Sequence, residues 1–355
     1  MARNIYWKEF SRPGSLAVFP RTKAPTEHTN TTHATMDFLI AILNPGVLFF
    51  ILGFIAVMLK SNLHIPDPIV KFVSLYLMLS IGFKGGVSLY HSSMFGDGII
   101  IIIIILAMSA LVPVYSYYLL KKKIGVADAA AIGATYGSNS TLTYITAAGF
   151  LTSLGVGYEG YMTVALVVME TPAIILSVVM AQMAMKGKAT KSTRHVLRDA
   201  LTDGTLLVLV GSMVIGYTLT VLGTEKSPLS SFIGGDMFTG MLVFFLLYMG
   251  TLVGQKFKEL ESFQPILIAF AIIAPIVNGA IALVLCKIFG FDHGDSLLLV
   301  ILCASSSYIV APAILKDILP EANPAKYLTM SMGITFPLNI VLGIPVYWWI
   351  IQNWV

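Results

Sequence analysis

Between Val126 and Thr152 runs an apolar stretch long enough to cross a bilayer, yet its middle is unsuited to a continuous helix. The interruption, GATYGSNSTLT from Gly133 to Thr143, sets two glycines and a cluster of small hydroxyl and amide side chains where hydrocarbon-compatible residues belong. A backbone break at that depth leaves N–H and C=O groups unpaired, which is tolerated only where protein, water or a ligand replaces the lost partners. A second interruption, ASSSYIVAP from Ala304 to Pro312, follows at an offset of 168, aligning Gly137 with Ser305, Ser138 with Ser306 and Asn139 with Ser307. Two broken spans at matching positions in two halves of a chain point to inverted repeats that meet around a buried site.

Composition fixes the class. Of 355 residues, 57% are hydrophobic and only 11% charged, with a mean hydropathy of +0.84. A soluble domain carries about 25% charged residues, so the expectation is an all-α polytopic membrane protein. Cys286 and Cys303 both fall in apolar segments and read as small buried hydrophobes rather than a disulfide or metal pair. No phosphate-binding lysine loop, GxSxG or HExxH pattern is present, so neither nucleotide hydrolysis nor a hydrolytic site is indicated.

Ten spans are expected, five in each half. Residues 1–35 form a polar tail outside the pattern, either disordered, processed or preceding a true start at Met36. The first repeat occupies 36–185, with spans near Pro45–Leu59, Asp67–Gly82, Gly98–Leu120, Val126–Thr152 and Tyr161–Met183. A basic cytoplasmic linker fills 186–199. The second repeat, 200–355, has spans near Gly204–Leu222, Met237–Val253, Pro265–Cys286, Ser296–Leu315 and Tyr327–Ile351. LYLMLSIGFKGG in span 2 and FFLLYMGTLVGQ in span 7 also align at 168, pairing Gly82 with Gly250. With span 1 starting outside, fourteen Lys and Arg residues face inside, and only Lys84, Lys226 and Lys287 face outside beyond the tail. Both ends of the core then lie outside, and an odd number of spans per half inverts the second repeat.

The breaks offer anion chemistry. Half-helices starting near Ser138 and Ser306 would present orphan N–H groups and positive dipole ends to one cavity. Gly137 would let the backbone approach a ligand, Ser138, Asn139, Ser140 and Thr141 would donate from one side, and Ser305, Ser306 and Ser307 from the other, with Tyr308 lining or gating the cavity. Glu170 lies inside span 5 beside Thr171 and Pro172, where the proline frees a carbonyl one turn earlier. A carboxylate, hydroxyls and free carbonyls are hard ligands suited to Na⁺, and Ser138, Ser306, Asn278 and Thr335 join Glu170 and Thr171 in that candidate set. Asp128 and Asp295, at the starts of the two broken spans, read as capping or helix-dipole residues.

Several local motifs occur together and in order. They are MDFL at Met36, Ile65–Pro66, GS and ST between Gly137 and Thr141, and METPA from Met169 to Ala173. ASSS from Ala304 follows, with a proline beyond it, then ANPAKY from Ala322 and GITFPLNIVLGIP from Gly333. In these the chain resembles the sodium-dependent bicarbonate transporters of cyanobacterial type, from Met36 to Val355. The resemblance implies ten helices in two inverted five-helix repeats, an elevator-like symport of bicarbonate with Na⁺, and a homotrimer in a bacterial inner membrane. It also implies an anion held by Ser138 and Ser305–Ser307, and in some members a PII-type regulator on the cytoplasmic face. The chain departs from the pattern at Tyr308, where the similar proteins carry an aspartate. A transporter of another small or organic anion on the same fold is the alternative.

Overall fold

The computed structural model describes residues 44–92, 94–184, 204–224, 232–233, 235–257 and 264–355, and every regular element among them is helical. The expected tail at 1–35 and the linker at 186–199 lie outside the described residues.

In chain order the elements are α1 (Pro45–Met58), α2 (Asp67–His91), α3 (Ile99–Ile124), α4 (Val126–Gly137), α5 (Thr141–Ser153), α6 (Tyr161–Ala184) and α7 (Gly204–Val221). They continue with α8 (Gly235–Phe257), α9 (Pro265–Phe289), α10 (His293–Ala304), α11 (Val310–Ile318) and α12 (Pro324–Trp354). Among the described residues six segments are each long and apolar enough to cross a membrane, α3 being counted from Met94, and α1, α7 and α10 are shorter apolar helices. Proline sets several of these starts: Pro45, Pro68, Pro265 and Pro324 occupy first-turn positions, where the missing N–H has no helical partner to lose.

One expectation about span ends changes. Span 2 does not stop at Gly82 but continues to His91. Lys84 therefore sits within α2 rather than in the loop expected after it.

Two helix pairs are held backbone to backbone. α2 lies along α7, and α8 lies along α1. A Cβ on Gly86 would collide with the Met213 carbonyl and stand 2.8 Å from Tyr217 N, and one on Gly216 would collide with the Phe83 carbonyl. In the other pair, a Cβ on Gly250 would collide with the Phe50 carbonyl and stand 2.9 Å from Phe54 N, and one on Gly53 would meet the Leu247 carbonyl. Lipid tails are as apolar as leucine, so helices in a bilayer associate through such close approach of small residues.

The half-helices α4 and α10 are buried on all sides: every residue from Asp128 to Gly137 and from Gly294 to Ala304 is buried. That suits their sequences. VADAAAIGATYG is small and fits against α3 and α6, while HGDSLLLVILCA is apolar around its circumference. Cys286 and Cys303 are buried free thiols, as their apolar settings indicate.

Asp128 and Asp295 each reach across to the other half. Asp128 Oδ1 accepts from Asn323 N at 2.7 Å, and its second oxygen pairs with Lys326, so the start of α12 is fastened to the start of α4. Asp295 Oδ1 accepts from Glu159 N at 2.8 Å and Oδ2 accepts from Tyr161 O–H at 2.5 Å, which fastens the start of α6 to the start of α10. These carboxylates tie loops together, a stronger role than the helix capping expected of them.

Candidate functional site

Both breaks open on the same backbone step. α4 ends at Gly137 and Ser138 turns extended (φ −86°, ψ 176°); α10 ends at Ala304 and Ser305 does the same (φ −88°, ψ 176°). The chain then passes through Asn139 and Ser140 into α5, and through Ser306 to Ile309 into α11.

The two broken segments cross and supply each other's missing partners. Ser307 N donates to the Thr135 carbonyl at 2.8 Å, and Ser140 N donates to Ser305 Oγ at 3.0 Å. Ser305 Oγ itself donates to the Leu302 carbonyl at 3.1 Å. Ser140 Oγ caps α5 by accepting from Thr143 N at 3.1 Å, and Ser307 Oγ accepts from Ala311 N at 3.1 Å in the first turn of α11. The Ser305 hydroxyl is thus committed to the crossing, and those of Ser140 and Ser307 to the first turns of α5 and α11.

Others are not. Ser138 Oγ, Asn139 Oδ1, Thr143 Oγ1 and Ser306 Oγ are buried without a hydrogen-bond partner, and the Tyr308 hydroxyl approaches Ser140 without a well-formed bond. A buried polar group left unpaired costs about 1–3 kcal/mol. Five of them around one crossing is an arrangement that a bound polar solute would relieve.

Beside the crossing is a narrow cleft lined by Asn139, Ser140, Thr141, Leu142, Glu170, Ser307, Tyr308, Ile309 and Val310, with Met78 of α2 also on its wall. Its walls include the first residues of both α5 and α11, so two helix N-termini with their positive dipole ends converge on it. Asn139 is aimed by its amide, which donates to the Leu166 carbonyl at 2.7 Å and leaves its oxygen unpaired. Tyr308 is aimed by its ring, packed edge-on against Phe336 at 5.2 Å. Glu170 is 3% exposed, on α6 two residues before Pro172, whose missing N–H leaves the Val168 carbonyl without its ladder bond.

Of the residues singled out from sequence, the cleft gathers Asn139, Ser140, Thr141, Glu170, Ser307 and Tyr308. Ser138 and Ser306 stand in the crossing behind its wall, and Thr171 is half-buried beside Glu170 on α6. Gly137 has another role than the expected approach to a ligand: a Cβ there would stand 2.5 Å from the Pro113 ring and 2.9 Å from Ala173 Cβ, so it lets α4 pack on α3 and α6. Asn278 and Thr335 lie outside the cleft with their oxygens engaged. Asn278 Oδ1 accepts from Tyr115 O–H at 3.0 Å, and Thr335 Oγ1 donates to the Ala271 carbonyl at 2.8 Å and meets the Tyr136 hydroxyl at 2.7 Å.

Two contributors were missed. Asn339, the first residue of the second π-helical turn of α12, donates to the Ala304 carbonyl at 2.8 Å and so caps the end of α10. A lone amide in an apolar run two residues after Pro337 was its signal. Met78 had none, since one more apolar side chain in an apolar helix carries no mark.

Apolar helices of bilayer length, packed around broken segments that enclose a polar cleft, define an integral membrane protein. The chain belongs to the Na⁺-dependent bicarbonate transporter superfamily, whose model matches residues 45–352, nearly the whole chain. No curated protein matches it. Family membership makes transport its class of activity rather than catalysis.

Proposed function

We propose that the protein is a sodium-coupled bicarbonate symporter that moves its substrates by an elevator-like alternation, with the anion held between the two broken segments. The observation that carries this reading is the cleft where the N-termini of α5 and α11 converge beside buried, unpaired polar atoms. Two dipole ends and several neutral hydrogen-bonding groups suit a small anion without any formal positive charge. The narrowness of the cleft favours a small anion such as bicarbonate over a bulky organic solute.

In the anion set we place Asn139, Thr141 and Tyr308 at the cleft, with Ser138 and Ser306 turning to it as the solute binds. For Na⁺ we assign Glu170 and Thr171, with the carbonyl freed by Pro172 and the hydroxyls of Ser138 and Ser306 nearby. Asn278 and Thr335 drop out, because the oxygens that would ligate a cation are already in use.

The reading includes two inverted five-helix repeats, 36–185 and 200–355. The matched backbone at Ser138 and Ser305 and the reciprocal glycine contacts support it, with an altered register. The bounds of α4 and α10 differ by 167, so Ser138 answers Ser305. The contact partners pair Gly86, one turn beyond Gly82, with Gly250. Homotrimeric assembly, a bacterial inner membrane with the core termini outside, and a PII-type cytoplasmic regulator complete the proposal on the strength of the family resemblance and the Lys and Arg distribution.

The test is uptake of labelled inorganic carbon into proteoliposomes at a pH where bicarbonate dominates. Uptake that requires an inward Na⁺ gradient and fails with K⁺ is expected. Uptake indifferent to Na⁺, or none from folded protein, would overturn the proposal.

A further inference from the structure

Lys84 is an ammonium-bearing residue in the body of a spanning helix. It lies seven residues before the end of α2, about 10 Å along the axis. A cation at such depth is expensive and marks a functional position by default. Its Nζ sits 4.2 Å from the centroid of the Phe238 ring of α8, and no carboxylate pairs with it among the described residues. The same Phe238 ring borders α5, where a Cβ on Gly149 would stand 3.7 Å from it. The neighbouring Gly85 is pressed against Thr163 of α6. Lys84 therefore occupies the seam where α2 and α8 meet α5 and α6.

The cleft lies further along the same two helices, α2 and α6. Met78, on the cleft wall, precedes Lys84 by six residues, about 9 Å along α2. Along α6, Glu170 on the same wall follows Thr163 by seven residues, about 10 Å. Both helices thus measure the same separation between the Lys84 level and the cleft. Phe238 steadies the ammonium by its ring face without neutralising it, so the positive field remains available to a passing anion.

We propose that Lys84 is a recruiting station for the transported monoanion, an attractive site on the path between the membrane face at His91 and the cleft. This rests on the anion-transport reading above. A unit charge about 10 Å away, at an effective dielectric constant of about 20, alters anion affinity on the order of 10-fold. The competing role is that of a lysine whose stem packs on apolar surface while its head reaches toward the interface, and that role predicts no effect on the substrate.

The experiment compares wild type with Lys84→Met and Lys84→Arg in two measurements: Na⁺-driven bicarbonate uptake, and thermal stabilisation of purified protein by bicarbonate, formate and nitrate. The expected result for Lys84→Met is a KM for bicarbonate raised about 10-fold with the Na⁺ half-saturation unchanged, and recovery in Lys84→Arg. An unchanged KM at equal membrane abundance would overturn the proposal. If wild type takes up no bicarbonate, the substrate reading fails on its own. The recruiting role then stands if any of the three anions stabilises wild type and its titration midpoint rises about 10-fold in Lys84→Met, and it falls if the midpoint stays. Should none stabilise wild type, both readings fail. Should Lys84→Met not fold, Lys84→Gln replaces it with the same expected shifts.

Discussion

Tyr308→Phe removes one oxygen and nothing else. The ring keeps its edge-on contact with Phe336 at 5.2 Å, and the buried volume barely changes. In the empty protein the hydroxyl is buried without a well-formed partner, so its loss lifts a desolvation cost of about 1–3 kcal/mol rather than breaking a bond. With the anion present the same oxygen donates to a charged acceptor, worth about 1.5–3 kcal/mol. The two effects have opposite signs. The variant should melt at the same or a higher temperature than wild type without substrate, yet require roughly 10- to 100-fold more bicarbonate for half-maximal uptake. Paired measurements on one preparation, thermal unfolding without bicarbonate and uptake kinetics in proteoliposomes, read both. A variant that is less stable when empty, with an unchanged KM, would show that the hydroxyl belongs to the framework and would refute the reasoning.

The other expectations follow from neighbouring geometry. Ser138→Ala should weaken anion binding about 5- to 10-fold with little change in the stability of the empty protein, because its hydroxyl is also unpaired; equilibrium binding and melting curves check both. Glu170→Gln should raise the Na⁺ concentration for half-maximal uptake at least about 10-fold while leaving the bicarbonate KM at saturating Na⁺ nearly unchanged, read by ion-dependence curves. Gly250→Ala should destabilise by about 1–3 kcal/mol, since its Cβ collides with the Phe50 carbonyl and the backbone of α1 has to move; denaturation in detergent measures this.

Much of the architecture was legible because hydrocarbon imposes it. Apolar runs, proline starts and polar interruptions mark helices directly, and α4, α5, α10 and α11 fall where GSNS and ASSS interrupt their spans. Side-chain commitment was not legible. Ser140, Ser305 and Ser307 look like Ser138 and Ser306 in the sequence, but three hydroxyls are engaged and two remain unpaired: those of Ser140 and Ser307 accept from the first turns of the helices that follow them, and that of Ser305 meets Ser140 N across 165 residues. Gly137 looked like a ligand cradle because its packing against Pro113 and Ala173 depends on two other helices. The end of α2 was misjudged because a lysine in an apolar run reads as a boundary, although an ammonium can be carried inside a span over an aromatic ring.

The carboxylates of Asp128 and Asp295 bear on what counts as a folding unit here. Each holds the start of a helix that belongs to the opposite half, so neither half completes its own tertiary structure. Severing the chain between Ala184 and Gly204 would leave these fastenings and the glycine seams intact. The two pieces, made together in one cell, should therefore assemble into a working protein, whereas either piece alone should be degraded. The polypeptide connection sets stoichiometry and order of synthesis, while cohesion comes from the exchange.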